Sequence, residues 1–358
     1  MATGACFSRG IPDLEQDATV TRTPHAGLGL VLVELGLLTL ALLARADDAP
    51  TDDTDLLTRQ LESVPAADLS VYGLKDSLGQ RMDCLEVFQA PGAAAAGIYH
   101  GVYHTQQAGV FVTHLARSTD LRSWSHLTTL DTHASQPTVN PCTDGSFLVA
   151  YEHDEPNSVW IRLRWYRNLT DLEAGRQDRQ HDILRTLAPT AEGTPSIESV
   201  TGLEHGIDSA EIRLRFHYYK DGQVDQLATG VLTDFRSWKA SPADTINARL
   251  IADGWLGNLG DRTRFTWRDK TFYLQEIQRR KGDWSSWRVC LCDASGMPIR
   301  PLAIATHGRA AAFSNPSATW VLDAHLRRRL VVTCFLPTEG NPPAEAGTLL
   351  FVVTPSDP

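Results

Sequence analysis

Asp83, Glu152 and Glu276 are the carboxylates whose settings suit acid–base chemistry. Glu152 and Glu276 each end an apolar run, Phe147 to Tyr151 and Thr271 to Leu274, and Asp83 opens another. Burial disfavours the charged form, so a carboxyl there keeps its proton at a pH where a solvated one has lost it. One carboxyl held protonated near another left ionised is what glycoside cleavage needs, about 5 to 5.5 Å apart for retention and ~6.5 to 9.5 Å for inversion. Asp83 is expected to be the base, with Glu152 or Glu276 as the acid. The competing structural roles are a turn for Asp83 and cross-strand ion pairs, Glu152 with Arg162 and Glu276 with Arg288.

A second set, Arg81, Gln136, His217, Asp261, Arg262 and Asn315, is expected to bind substrate. Thr194, His104, Tyr219 and Glu339 fall at related places. Charged, amide and aromatic groups in one mouth suit a sugar, whose hydroxyls need polar partners and whose ring faces need apolar contact. Asp261 and Arg262 also read as a salt-bridged brace. His100, His104, His133, His153 and His217 form no tight ligand triad, and Cys290 and Cys292 lack zinc-knuckle spacing, so neither a metal site nor a cofactor is assigned to them.

These residues are scattered over about two thirds of the chain, and only a repeated architecture brings them together. Strand-like runs recur from Gly97 to Val353, and helical periodicity of useful length is absent. One pattern repeats at Asp120–Trp124, Asp234–Trp238 and Asp283–Trp287, with Asp as turn cap and Trp packed between neighbouring blades. Another precedes strand runs at Gln136-Pro137-Thr138, Thr194-Pro195-Ser196 and Asn315-Pro316-Ser317. With starts near 82 and 260, the period is 54 to 66 residues, enough for four strands and their loops. The predicted fold is all-β, a five-bladed β-propeller over residues 66–358 with four antiparallel strands per blade. Residues 66–81 are expected to supply a closing strand to the last blade. In a propeller the start of each first strand and the end of each second strand open on one face, which gathers the residues above into a funnel.

Ser118-Thr119-Asp120-Leu121-Arg122-Ser123-Trp124 resembles the S-x-D-L-x-x-W element of the five-bladed glycoside hydrolases, the arabinanases, β-xylosidases, arabinofuranosidases, invertases and levansucrases. The resemblance extends over roughly residues 70 to 355 as blade rhythm. It implies an Asp at the start of blade one as base or nucleophile, matched by Asp83, although Cys84 stands where a Pro is usual. It implies an acidic Glu near blade three, matched by Glu192 in Glu192-Gly193-Thr194-Pro195, with one residue inserted. It also implies an orienting Asp in blade two, where Gln136-Pro137-Thr138 has no acid. A structural calcium or sodium ion in the central channel would fit the same group. The activity so implied is that of a glycosidase on poly- or oligosaccharides; the alternative is a noncatalytic glycan-binding propeller.

The near-continuous apolar stretch Ala26 to Ala44, followed by Ala44-Arg45-Ala46, reads as a secretory leader over residues 1–46, or as an uncleaved membrane anchor. A polar linker is expected over 47–65, and a secreted or extracytoplasmic location follows from the leader. Acidic residues outnumber basic ones 43 to 33, which argues against nucleic-acid partners, and no membrane contact beyond the N-terminus is expected. Cleavage would remove Cys6 and leave five cysteines, enough for one or two bridges at most. Asn168-Leu169-Thr170 fits the N-glycosylation pattern.

Overall fold

The computed structural model describes residues 53–92 and 95–354. The leader, the start of the linker and Cys6 lie outside the described residues, as do the side chains of Asp261 and Arg262. The first element is a helix, α1 (Asp53–Glu62), where a linker was expected. Asp53 and Asp55 in its first turn and Arg59 in its last complement the helix dipole. Leu57 and Leu61, one helical turn apart, are buried with Val64 against Phe272, Leu302 and Phe351. That apolar pair docks a segment whose many polar residues suggest a linker. Among the described residues no helix is long and apolar enough to cross a membrane.

β1 (Leu69–Val71) is followed by five sheets' worth of strands in sequence order. Blade 1 is β2 (Asp83–Phe88), β3 (Tyr99–Gln107), β4 (Val110–Ser118) and β5 (Ser125–Thr132). Blade 2 is β6 (Ala134–Pro141), β7 (Phe147–Glu155), β8 (Ser158–Tyr166) and β9 (Arg179–Ile183), with the short helix α2 (Leu169–Glu173) between its last two strands. Blade 3 is β10 (Glu192–Thr201), β11 (Glu211–Lys220), β12 (Val224–Thr233) and β13 (Ser237–Pro242). Helix α3 (Asp244–Ala252) leads to blade 4, β14 (Leu259–Trp267), β15 (Lys270–Gln278), β16 (Trp287–Cys292) and β17 (Pro298–Pro301). Blade 5 is β18 (Ser314–Leu322), β19 (Arg328–Leu336) and β20 (Gly347–Val353), completed by β1, whose Ser70 pairs with Phe351. The chain is a five-bladed β-propeller, and this N-terminal strand closes the ring, leaving only short edges.

The repeated X-Pro-Ser/Thr pattern is a β-bulge. In every blade the ladder slips near the start of the first strand: between Asp83 and Glu86, Ser135 and Thr138, Gly193 and Ser196, Leu259 and Arg262, and Ser314 and Ser317. Proline has no N–H to lose from the ladder and so fits the unpaired position. The residue before it takes a left-handed conformation, with φ of 52° at Gln136, 43° at Thr194 and 45° at Asn315; Cys84, at 52°, does the same without a proline. None of these is a glycine, so each bulge needs something to hold it.

The Asp-to-Trp pattern holds the opposite face. In blades 1 and 3 it joins third and fourth strands; Asp120 Oδ1 accepts from the backbone N–H groups of Arg122 and Ser123 at 2.8 and 2.7 Å. Trp124 lies across Gly101 of its own blade, and Trp238 across Gly230. The third copy is not equivalent: Asp283–Trp287 joins the second and third strands of blade 4, on the funnel face. No disulfide joins any two of the five described cysteines, all of which are buried.

Candidate active site

Strand register fixes what faces what at the funnel. Asp83 pairs with His104, Ser135 with Glu152, Gly193 with His217 and Ser314 with Phe335. In blade 4 Leu259 pairs with Ile277, which sets Gly260 opposite Glu276. At these paired positions the first strands place the carboxylate of Asp83 and the second strands those of Glu152 and Glu276. The fifth second-strand position is Phe335; Glu339, expected there from the sequence, lies beyond the end of β19 and is exposed.

The second-strand side chains hold the bulges of the next blade. Gln136 N–H donates to His104 Nδ1 at 3.1 Å, Thr194 N–H to Glu152 Oε1 at 2.6 Å, and Asn315 N–H to Glu276 Oε2 at 2.7 Å. His104 suits this acceptor role because burial, with the charge of Arg81 and proximity to His114, pushes it down to about 3 and keeps it neutral. Glu152 also accepts from Thr194 Oγ1 at 2.6 Å and Ser135 Oγ at 3.2 Å. The carboxylates leave no room for side chains beside them. A Cβ on Gly193 would meet Glu152 Oε1 at 2.5 Å, and one on Gly260 would collide with Glu276 Oε1. The glycine of Glu192-Gly193-Thr194 is therefore a space for the preceding blade's glutamate. Arg162 does not reach Glu152; it pairs with Asp131 and Asp182 instead.

Asp83 stands apart. Phe335, at the junction of blades 5 and 1, has no acceptor, and its ring instead lies under the guanidinium of Arg81 at 5.5 Å. Arg81 Nη2 is 3.3 Å from Asp83 Oδ1, an oxygen that is buried and accepts no hydrogen bond. The Asp83 side chain is 14% exposed. Burial pushes its carboxyl up to about 6, with Arg81 acting in the opposite direction.

Of the expected binding residues, Gln136 and Asn315 meet directly. Asn315 Nδ2 donates to Gln136 Oε1 at 2.8 Å, linking blades 2 and 5 across the front of blade 1. His217 Nε2 lies 3.8 Å from Glu152 Oε1 and 3.7 Å from Asp225 Oδ1, between two carboxylates. The backbones of Asp261 and Arg262 belong to β14, while their side chains are outside the described residues. Glu192 is buried and turned away into its own loop, where Oε1 accepts from the N–H groups of Thr186 at 2.6 Å, Ala188 at 3.0 Å and Leu187.

Two carboxylates in this region were not singled out in the sequence. Glu86, three residues beyond Asp83 on the same first strand, accepts from Val139 N–H at 3.3 Å, and burial pushes it up to about 7. Asp225, on β12, is raised by burial against the pull of His217. An acid inside an apolar first strand was the available signal for Glu86; for Asp225 there was none, since its meaning comes from pairing with Tyr219 beside His217. Among the described residues no group of three His, Cys, Asp or Glu side chains is placed to hold a metal ion.

No family model matches the chain, and no curated protein is significantly similar to it in sequence. Its fold is that of solved glycoside hydrolases. A structure titled glycoside hydrolase superposes with a TM-score of 0.58 at 9% identity, covering 86% of this chain and 96% of the other. The α-L-arabinanase of Penicillium chrysogenum, solved with arabinobiose, has a TM-score of 0.50 at 13% identity, covering 81% of this chain and 99% of its own. At such identities the likeness is one of architecture, and the chemistry has to be argued from the funnel itself.

Proposed function

We propose that the funnel hydrolyses a glycosidic bond in a poly- or oligosaccharide, with Asp83 as proton donor and Glu152 as the base. The observation that carries this reading is the contrast between the two. Asp83 is largely buried, has a buried oxygen with no donor, and holds its proton up to about pH 6. Glu152, on the adjacent blade, accepts on both oxygens. The roles expected from the sequence are thereby exchanged. Asp83 gives its proton to the glycosidic oxygen as the bond to the anomeric carbon breaks; water adds to that carbon and passes a proton to Glu152. His217, Gln136, Asn315 and Arg81 would hold sugar hydroxyls. Glu192 and Glu276 have structural parts in this scheme, as loop anchor and bulge tie. The leader over residues 1–46 would place the activity outside the cytoplasm.

The test is release of reducing ends by the full chain from arabinan, xylan and fructan oligosaccharides. Asp83→Asn is expected to abolish release and Glu276→Gln to retain it; full activity in Asp83→Asn would remove Asp83 from the mechanism. The use of Glu152 and Glu276 as ties between blades favours a second reading, a propeller that binds glycans without cleaving them. Binding of the same oligosaccharides by wild type, with no release under any condition, would establish that reading.

A further inference from the structure

The rim of the funnel is electrically lopsided. Hairpins between second and third strands form much of it. That of blade 2 carries Asp154 and Glu155, whereas that of blade 4, Arg279-Arg280-Lys281-Gly282-Asp283, places three exposed cations in succession on a chain of net charge −10. Asp283 neutralises Arg280 at 2.5 Å. Among the described residues no carboxylate lies within 4.0 Å of Arg279 or Lys281.

Both cations rest on aromatic rings instead. The guanidinium of Arg279 is 4.1 Å from the Trp255 ring centre and donates to the Asp253 carbonyl at 3.3 Å. The ammonium of Lys281 is 5.0 Å from the centre of the Tyr219 ring and 2.8 Å from its hydroxyl. Tyr219 lies two residues beyond His217 on the same strand, so Lys281 bridges blades 3 and 4 at the funnel mouth. Its charge is felt by the part-buried Asp225, with no ion pair between the two. Seating on a ring fixes long side chains in advance and lowers the entropy lost when they bind. Beside them Leu256, 61% exposed and bonded through its N–H to the Arg279 carbonyl, offers an apolar surface. Two ordered cations without counter-ions, next to an exposed apolar side chain and above a polar funnel, match a sugar ring that carries an anionic group.

We infer that the blade 4 hairpin recognises the carboxylate or sulfate of an anionic glycan. This rests on the proposed glycan-binding funnel and deepens it by naming the substrate class: the anion sits at Arg279 and Lys281, which orients the chain across the mouth toward Asp83 and Glu152.

Calorimetry on the full-length chain, wild type and Asp83→Asn, tests it with three probes: tetragalacturonate, the same tetramer with its carboxyls reduced to alcohols, and a sulfated galactan oligosaccharide. At least one charged probe is expected to bind about ten times more tightly than the neutral tetramer, with the advantage shrinking as salt rises. Lys281→Ala and Arg279→Ala, both exposed, are each expected to weaken the charged probe about five- to tenfold and to leave the neutral one unchanged. The better charged probe tells carboxylate from sulfate. Equal binding of charged and neutral probes, no binding of any, or charged binding indifferent to Lys281→Ala would overturn the inference. Because binding is read apart from turnover, a protein that binds the charged probe but releases no reducing ends counts against hydrolysis alone.

Discussion

Thr194 N–H donates to Glu152 Oε1 at 2.6 Å, and through this bond the second strand of blade 2 holds the left-handed bulge of blade 3. The same relation joins His104 to Gln136 and Glu276 to Asn315. It is the device by which neighbouring sheets, which share no backbone ladder, fix the geometry of the funnel floor.

Removing that acceptor should therefore loosen the junction. Glu152→Ala leaves the N–H and hydroxyl of Thr194 and the hydroxyl of Ser135 without their partner, an expected loss of about 2–4 kcal/mol in unfolding free energy. Glu152→Gln, which keeps one carbonyl oxygen, should lose about half as much. Urea denaturation followed by tryptophan fluorescence measures both.

Gly193→Ala places a methyl against Glu152 Oε1 and should cost about 1–3 kcal/mol. Combined with Glu152→Ala, which removes the obstructing group, the two losses should be clearly less than additive. Additive losses would mean that the carboxylate is not what the glycine makes room for.

Asp83 has a linkage signature. Its folded value of about 6 lies above the ordinary carboxyl value of 3.8, so the stability it contributes is complete below about pH 4 and is lost as pH rises to about 6. The difference amounts to about 2–3 kcal/mol. Asp83→Asn should match wild type near pH 4 and exceed it by roughly that amount at pH 7, as read from denaturant midpoints across the range.

His104 acts in the opposite sense. Lowered to about 3 from 6.5, it is protonated more readily in the unfolded chain, so its contribution is present above pH 6.5 and drains away as pH falls toward 3. His104→Gln, which keeps an acceptor for Gln136 N–H, should flatten the acid limb of the stability profile.

Three of the five blade starts were legible because the bulge has a sequence mark, a proline at an unpaired ladder position after Gln136, Thr194 and Asn315; the other two, near 82 and 260, were legible from the repeat period. So were the second-strand residues His104, Glu152, His217 and Glu276, since strand ends follow from apolar runs. What each one bonds to was not legible. Those bonds run between blades and depend on a left-handed residue that no side-chain pattern announces. Glu192 misled because its Gly-Thr-Pro sequel marks the bulge, whereas its own side chain turns back into the preceding loop. Helix α1 escaped because only two of its three leucines, Leu57 and Leu61, recur at helical spacing on the buried side, a weak periodic signal, and the surface they cover belongs to blades 4 and 5, more than 200 residues away. Glu339 was misplaced because β19 ends at Leu336, before the long hairpin that carries it.

The dependence of kcat/KM on pH, measured on whichever oligosaccharide is cleaved, tests the role of Asp83 most directly. With Asp83 as the proton donor, the rate falls tenfold per pH unit above about pH 6, and Asp83→Asn shows neither the rate nor the limb. A rate that is flat from pH 5 to 8, or a falling limb that survives in Asp83→Asn, would contradict it.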